Sequence, residues 1–267
     1  MDRKKLTHIV LILAYDGTAY FGWQKTKEGP SVEAELQAVL HQIFQEPIHL
    51  QAASRTDRGV HAEWQVVDFA VHRPLSDFCR LLTSINELLP PSIRCRYAFR
   101  APLKGFHPTL DVVRKGYRYF ISTGPVQLPL LRFTHWHVHY PLDRSLLYEA
   151  SRLFIGTKDF RGLCNRRAGL DEEDTVRTVY SIRLDETAQA LSVYIEADRF
   201  LYKMARNIVG TMIWVARKKI PLDAVSAALQ TRKRAAAGVT APAHGLSLVN
   251  VTYNQNMIYY DQQWSCV

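Results

Sequence analysis

Residues 53–62 read ASRTDRGVHA, and the sequence on both sides of this stretch predicts β-strands. Residues 49–52 are compatible with a short strand, and residues 65–71 carry the β-branched and aromatic side chains that strands favour. The threonine, aspartate and glycine between them are turn formers. We therefore expect Asp57 to lie on a connection that a sheet holds at both ends, a position where binding and catalytic groups are often found.

Two arginines, Arg55 and Arg58, flank the carboxylate of Asp57. A basic neighbour keeps an aspartate ionised, so Asp57 is a candidate nucleophile or base that acts on a polyanion. The same residues are also compatible with an ordinary solvated surface turn. For both arginines, contact with a phosphate is the favoured role.

The elements predicted around Asp57 follow the order strand, helix, two strands, helix, strand. Apolar residues at helical spacing follow Ser31, which can cap a helix, and a second apolar stripe follows Ser76, another capping residue. The predicted elements are strand 6–15, helix 32–44, strand 49–52, strand 65–71, helix 77–89 and strand 93–99. This is the order of the split βαβ, or ferredoxin-like, fold.

A similar order returns in the rest of the chain. Asp143 can cap one helix, and Pro221 suits the first turn of another. The predicted elements are strand 112–122, helix 144–154, strands 179–184 and 191–197, helix 200–218, a short helix from residue 221 and strand 247–253. The sequence therefore predicts an α+β protein of two pseudo-duplicated ferredoxin-like, or RNA-recognition-like, domains whose sheets flank a central cleft. We place the first domain, which carries Asp57, at residues 1–105 and the second at residues 106–267.

The charge of the chain favours a phosphate-rich partner. Its 267 residues include 34 Lys and Arg against 25 Asp and Glu, a formal net charge of +9, and the pI is about 9.4. Nucleic acid is the commonest reason for such an excess. No apolar run reaches the ~20 residues of a membrane span, and residues 7–14 are too short and too strand-like for a signal peptide. We therefore expect a cytoplasmic protein that does not associate with a membrane.

Sequence patterns of several other enzyme classes are absent. The chain contains no G-x-x-x-x-G-K-[ST], G-x-G-x-x-G or H-E-x-x-H, which argues against an NTPase, a dinucleotide enzyme and a zincin. No cysteine belongs to a C-x-x-C pair, which argues against a thiolate zinc site. His135, His137 and His139 would share one face of a strand, but at ~3.3 Å per residue the outer two would be ~13 Å apart, too far for one ion. We expect no metal site, and a polar or RNA-facing strand at these histidines.

Residues 54–62, SRTDRGVHA, resemble the signature G-R-T-D-x-G-V-H-A of the tRNA pseudouridine synthase A family. Other segments resemble further landmarks of that family in the same order: AYDGTAYFGWQ at 14–24, KGYRY at 115–119, GTKDF at 156–160, RT at 177–178, FLYKMARNIVG at 200–210 and GVTAPAHGLSL at 238–248. Each short segment is weak evidence by itself. Their common order over nearly the whole chain makes the resemblance specific.

The resemblance implies that the protein isomerises uridine to pseudouridine in the anticodon arm of tRNA, around positions 38–40. It also implies a homodimer of chains with two RNA-binding-like α/β domains, working without a metal ion or an organic cofactor. Carried over by motif, Asp57 is the catalytic aspartate, Tyr117 lies beside the target base and Arg206 pairs with the aspartate. Arg55 and His61 of the signature complete the predicted substrate-binding residues.

The sequence departs from the family pattern at three positions. Arg58 and Trp64 stand where the family often has a small residue and a Gly-like residue, and Thr109 replaces the arginine of an F-x-A-R segment. One alternative is therefore a paralogue with altered RNA specificity. A second is a non-catalytic tRNA-binding protein, although binding alone would not require Asp57. A third is an Asp-dependent nucleoside hydrolase, for which no second carboxylate is evident near Asp57 in the sequence.

Overall fold

The computed structural model describes residues 6–101, 105–165, 174–187, 189–234 and 237–254. These residues contain ten strands and five α-helices, so the predicted α+β class is confirmed. They group into two compact units, the first comprising residues 6–113 with 248–254 and the second residues 114–247. The division into domains at residue 105 stays a prediction.

The first unit combines a sheet with two helices. Its elements are β1 Thr7–Tyr15, α1 Val32–Phe44, β2 Gln51–Ala52, β3 His61–Val71, α2 Phe78–Leu88, β4 Ile93–Arg100 and β10 Leu246–Tyr253. The strand order is β4-β1-β3-β10, with β2 beside β3. β1 runs antiparallel to both of its neighbours, with Thr7 opposite Val71 and Ile9 opposite Arg100. The order predicted for the first hundred residues is confirmed, although β3 begins at His61 rather than at residue 65.

The core of the first unit is built on β1 and α1. Residues 9–13 of β1 are at most 1% exposed, which explains why this strand reads as a continuous apolar run. Ser31 caps α1 as predicted, since its side chain accepts a hydrogen bond from the Ala34 amide. For α2 the predicted cap was wrong. The helix begins one residue later, and Asp77 accepts the Arg80 amide at 2.8 Å.

The second unit also combines antiparallel strands with helices. Its elements are β5 Val112–Ser122, β6 Trp136–His137, α3 Arg144–Leu153, β7 Gly156–Asp159, β8 Val176–Glu186, β9 Ala190–Ala197, α4 Met204–Ala216 and α5 Asp223–Thr231. The strand order is β5-β9-β8-β7, and β6 pairs in parallel with β5. Asp143 caps α3 as predicted, accepting the Leu146 amide at 3.2 Å.

The helix α4 is the buried centre of the second unit. Eleven of its thirteen residues are buried, so it is apolar on nearly every side. It begins at Met204 rather than at the predicted residue 200, because Lys203 has a left-handed backbone with φ of 62° that no α-helix continues through. None of the helices in the described part of the chain has the length and apolar character that a lipid bilayer requires.

The three alternating histidines do not share a strand, so that expectation was wrong. β6 comprises only Trp136 and His137. Nε2 of His137 lies 2.8 Å from the Gly124 carbonyl, and the carbonyl of His135 lies 3.1 Å from Nε2 of His244. His137 thus uses its imidazole, and His135 its backbone carbonyl, in contacts outside a common strand face.

Candidate active site

Residues 53–60, the Asp57 loop, form an irregular connection between β2 and β3, as the sequence predicts. The loop is fastened at its start, where the Ala53 amide donates to the Val66 carbonyl at 2.8 Å and the side chain of Gln65 donates to the Ser54 carbonyl at 2.6 Å. Asp57 itself is half-buried. Its carboxylate is therefore carried by a short segment that the sheet holds at both ends.

The Asp57 loop ends in a tight turn. The Val60 amide donates to the Asp57 carbonyl at 3.1 Å, and Gly59 has φ of +76°. A positive φ at the third position of a four-residue turn is what a type II turn requires, and glycine adopts it without strain. This turn fixes the backbone of Asp57 relative to the first residues of β3.

A second segment, residues 16–24, lies against the Asp57 loop, and we call it the Gly17 loop. The Trp23 amide donates to the Thr56 carbonyl at 3.0 Å, and the Gly59 amide donates to the Tyr20 carbonyl at 3.3 Å. Just before the Gly17 loop, the hydroxyls of Tyr15 and Thr56 are 2.8 Å apart. Two family-like segments that are about forty residues apart in the sequence are thus one structural feature.

Two glycines make this close approach between the loops possible. A Cβ atom on Gly22 would lie 2.6 Å from the Thr56 carbonyl oxygen, and Gly22 has φ of +101°. A Cβ atom on Gly17 would lie 2.0 Å from the Val60 carbonyl oxygen. Any side chain at either position would force the two backbones apart. The family-like sequence of residues 14–24 indicated a landmark, but it did not indicate that these glycines support Asp57.

The three departures from the family pattern have local contacts within the first unit. The exposed guanidinium of Arg58 lies 4.0 Å from the centre of the Phe21 ring, a cation–π contact. The ring of Trp64 lies 5.5 Å from that of Tyr97. The Thr109 hydroxyl donates to the Ala52 carbonyl at 2.7 Å, immediately before the Asp57 loop. Of the two arginines that flank Asp57, the other, Arg55, is exposed, as a contact with a polyanion requires.

His61 is buried beside the Gly17 loop. Its Nδ1 atom lies 3.0 Å from the Gly17 amide nitrogen and 3.1 Å from Oδ1 of Asp16. The two contacts exclude each other, because the amide needs a lone pair on Nδ1 and the carboxylate needs a proton there. We assign the lone pair to Nδ1, because the Gly17 amide is buried in this bond. The Asp16 side chain is 55% exposed and accepts from the Thr18 amide at 2.9 Å.

Asp16 is ionised under most conditions. Burial alone would raise the pKa of this carboxyl, but the hydrogen bonds from Thr18 outweigh it and hold the pKa below its usual range. The carboxylate caps the first turn of the Gly17 loop. Asp16 therefore shapes the loop that contacts the Asp57 loop.

Tyr117 lies on β5 of the second unit, opposite Ile195 of β9. It is 6% exposed, and its ring meets the edge of the Phe200 ring at a centroid distance of 4.9 Å. On the same face, the Tyr119 hydroxyl donates to the Pro242 carbonyl at 2.7 Å. Burial raises the pKa of Tyr119 well above its usual value, against the opposing charge of nearby Arg206. Tyr119 is therefore a neutral hydrogen-bond donor.

Arg206 lies in the first turn of α4 and is half-buried. Its Nε donates to the Ala241 carbonyl at 2.8 Å, and the Ala241 amide donates back to the Arg206 carbonyl at 3.1 Å. The family-like segment at 238–248 is thus bonded to the family-like start of α4. Arg55, Asp57 and His61 belong to the first unit, and Tyr117 and Arg206 to the second.

The neighbour of Arg206, Asn207, is a fully buried polar residue that sequence analysis missed. Its side-chain NH2 group donates to the Leu163 carbonyl at 2.7 Å and to the side-chain oxygen of Asn165 at 2.9 Å. Its side-chain oxygen accepts from the guanidinium of Arg234 at 2.9 Å and from the hydroxyl of Thr240 at 2.6 Å. Both donors and both lone pairs of the amide are used. The only signal in the sequence was a polar residue inside an apolar helix.

Lys115, two residues before Tyr117, was noted only as part of a motif. It is 8% exposed, and burial, together with the charge of Arg199, lowers its pKa to about 8. Lysine is rarely buried to this extent, so its position on the strand face that carries Tyr117 is unusual.

Within the residues that the structure describes, no three His, Cys, Asp or Glu side chains are grouped so that they could hold a metal ion. The absence of a metal or cofactor requirement stays a prediction.

Comparison with known proteins identifies the family that these segments resemble. The model of a family described as tRNA pseudouridine synthase matches residues 11–110 and 150–254. "tRNA pseudouridine synthase A 2" of Protochlamydia amoebophila is 45% identical over 251 residues, or 94% of this chain and 95% of that protein. "tRNA pseudouridine synthase A 1" of the same organism is 36% identical over 249 residues, or 92% and 96%. A solved Cbf5-Nop10-Gar1 complex aligns at 12% identity with a TM-score of 0.35, over 91% of this chain and 57% of that one, which is too weak to support an argument.

Proposed function

Because the chain belongs to the tRNA pseudouridine synthase family, we propose that it isomerises uridine to pseudouridine in tRNA, in the anticodon stem-loop at about positions 38–40. The observation that carries the proposal is the Asp57 loop, which bears the family signature and is held by backbone contacts on two sides. A reacting group needs such support, because a misplacement of ~1 Å can cost about 10²-fold in rate.

The reaction exchanges one bond of the nucleoside for another. The N1–C1′ bond breaks, the uracil turns, C5 bonds to C1′, the C5 proton leaves and N1 gains a proton. A stacked base has no room to turn in this way, so the uridine is flipped out of the helix into the site. Asp57 acts on it as an ionised carboxylate, either as a nucleophile or as a base towards a sugar proton. As the family resemblance implies, no metal ion or organic cofactor takes part.

We assign supporting roles to three further residues. Tyr117 stacks on the flipped uracil, and its ring already packs perpendicular to that of Phe200. Arg206 orients the carboxylate of Asp57, and its Nε is anchored on the Ala241 carbonyl. Arg55, exposed beside Asp57, contacts a phosphate of the RNA.

We further propose that tRNA is bound mainly through phosphates, by a cytoplasmic homodimer. The net charge of +9 supports the electrostatic part. The affinity for tRNA should therefore fall linearly in log K against log salt concentration, and an affinity unchanged over a several-fold range of salt would contradict this. A fully active monomer in light scattering would remove the homodimer.

A paralogue with altered RNA specificity is the second candidate. This chain is more similar to "tRNA pseudouridine synthase A 2" than to "tRNA pseudouridine synthase A 1" of one organism, at 45% against 36% identity. Arg58 and Thr109, the departures that lie in and next to the Asp57 loop, are where an altered preference for RNA would arise.

The test is to incubate the purified protein with tRNA transcripts and map pseudouridine in the products. Wild-type protein should modify uridines of the anticodon arm. Asp57→Asn keeps the shape of the side chain but loses its charge, so turnover should fall by about 10⁴-fold or more. Its tRNA affinity should change far less, because phosphate contacts supply most of it.

The matched control is Asp185→Asn, an exposed carboxylate on β8, which should keep wild-type turnover. Both variants are checked by thermal unfolding. Wild-type protein that forms no pseudouridine would refute the proposed function, and folded Asp57→Asn protein that modifies the anticodon arm at the wild-type rate would refute the catalytic role of Asp57. Pseudouridine confined to another part of the tRNA would instead favour the paralogue.

A further inference from the structure

His61 is connected to the Asp57 loop by a short series of backbone hydrogen bonds. Its Nδ1 accepts the Gly17 amide at 3.0 Å. The Gly17 carbonyl accepts the Tyr20 amide at 3.0 Å, and the Tyr20 carbonyl accepts the Gly59 amide at 3.3 Å. Gly59 is the third residue of the turn whose first residue is Asp57. The imidazole is thus one end of a series of bonds whose other end is the turn that carries the carboxylate.

Close packing makes this series stiff. Gly17 lies so near the Val60 backbone that a Cβ atom on it would be 2.0 Å from the Val60 carbonyl oxygen. Gly17 therefore has the His61 ring at its amide and the Val60 carbonyl against its Cα. If the bond to His61 were lost, the Gly17 loop could shift, and the turn bonded to it would shift as well.

The imidazole of His61 contacts the Gly17 loop. His61 is 9% exposed, whereas Arg55 and Arg58 of the same signature are exposed. Its Nδ1 is engaged with the Gly17 loop in either protonation state, by accepting from Gly17 or by donating to Asp16. Burial and an engaged ring nitrogen are the properties of a residue that supports its neighbours.

We infer that His61 is a positioning residue, which holds the Gly17 loop through Nδ1 so that this loop fixes the turn of Asp57. The inference rests on the proposed function, because the turnover that it affects is the isomerisation of uridine. It replaces the substrate-binding role that the family resemblance implies for His61.

The test compares two variants of the full-length protein. In His61→Asn the side-chain oxygen lies the same number of bonds from Cβ as Nδ1 and accepts a hydrogen bond, whereas His61→Leu fills similar space without an acceptor. We expect His61→Leu to lower kcat by about 10²-fold and His61→Asn to recover at least about tenfold of that loss. KM for tRNA should stay near the wild-type value in both variants.

Hydrogen exchange supplies a readout that does not depend on turnover. The Gly17 amide should exchange slowly in wild-type protein and His61→Asn, and quickly in His61→Leu. If His61→Leu does not fold, His61→Asn alone decides: a protected Gly17 amide with most of kcat retained supports the inference. The inference is overturned if folded His61→Asn is as inactive as Asp57→Asn, or if KM for tRNA rises in the His61 variants while kcat stays unchanged. Wild-type protein that forms no pseudouridine would refute the proposed function, while the exchange of Gly17 would still test the contact.

Discussion

The Asp57 loop and the start of α4 both carry candidate functional residues, but they are held in place by different means. In the Asp57 loop, backbone amides of one segment bond to backbone carbonyls of another, and Gly17 and Gly22 bring the segments together. At the start of α4, one side chain, Asn207, bonds to four groups on two other segments. Substitutions that add atoms should therefore disturb the Asp57 loop, whereas substitutions that remove atoms should disturb the start of α4.

This difference determines which substitutions each region tolerates. A backbone amide is present in every residue except proline, so a contact between backbones survives most changes of side chain. It fails when a new Cβ atom prevents the close approach. A buried amide side chain has no substitute that reproduces both its donors and its acceptor.

The largest effect on stability is expected for Asn207→Ala. The change removes one hydrogen-bond partner from each of four groups, among them the buried Leu163 carbonyl, at about 1–3 kcal/mol for a buried group left unpaired, and we expect a total loss of about 4 kcal/mol. Urea unfolding measures it. The control is Asn250→Ala, which removes one side-chain hydrogen bond to Thr252 and should cost about 1 kcal/mol. Equal losses for the two variants would show that the buried network adds nothing.

Gly22→Ala should cost somewhat less, about 3 kcal/mol. Its positive φ contributes about 1 kcal/mol, and the clash with the Thr56 carbonyl contributes the rest. Gly105→Ala is the matched control, because Gly105 also has a positive φ, +90°, but no described atom within 4 Å of its Cβ position, so only about 1 kcal/mol is expected. The same urea experiment compares them. If Gly105→Ala loses as much as Gly22→Ala, the close approach of the two loops is not the cause.

Asp68 is the opposite of Asn207, because it is a buried polar group whose hydrogen bonds are incomplete. It lies on β3, and its Oδ1 has no hydrogen-bond partner among the residues that the structure describes. Burial raises its pKa to about 6, while His8, 3.8 Å away, opposes the shift. A raised pKa means that the folded protein prefers the neutral carboxyl. The stability that this preference adds is present at low pH and is lost as the pH rises through about 6.

Asp68→Asn imitates the neutral form at every pH. The melting temperatures of the variant and the wild type should therefore be similar near pH 4, and the variant should be the more stable one near pH 8. Thermal unfolding followed by circular dichroism across this range measures the difference. A difference that stays constant or shrinks with rising pH would mean that Asp68 is ionised in the folded protein throughout.

The smallest expected effect concerns the exposed pair of Arg58 and Phe21. Phe21→Leu removes the ring over which the Arg58 guanidinium lies, and an exposed cation–π contact is worth about 0.5–1 kcal/mol. If Arg58 contacts RNA, the affinity for tRNA should fall about two- to fivefold. Phe133→Leu is the control in the second unit, because Arg132 lies over Phe133 at the same 4.0 Å. A filter-binding assay in which both variants lose equally would exclude a special role for Arg58.

The sequence predicted what depends on neighbours along the chain. The caps at Ser31 and Asp143 and the connection that carries Asp57 follow from local residue types.

What the sequence did not reveal depends on contacts between distant segments. The contact between the Gly17 loop and the Asp57 loop uses backbone amides and carbonyls. Nearly every residue carries these groups, so the residue types in the sequence do not indicate which of them will bond. Asn207 looked like an exception inside an apolar helix, because its four partners come from residues 163–165 and 234–240. The later start of α4 depends on the backbone of Lys203, which is left-handed although lysine has no preference for that conformation.

The position of β10 has a consequence for how the protein is made. The sheet of the first unit has the order β4-β1-β3-β10, so its strand from residues 246–253 is synthesised roughly 150 residues after β4. At the ~5–20 residues per second of translation, the ribosome needs about 8–30 s to produce that strand after β4 is complete. During this interval the backbone groups of β3 that later pair with β10 have no partner strand, and such strand edges pair readily with other chains. Slow ribosomes and crowded polysomes would prolong this exposure, so the yield of native protein should respond to the rate at which the second unit is translated.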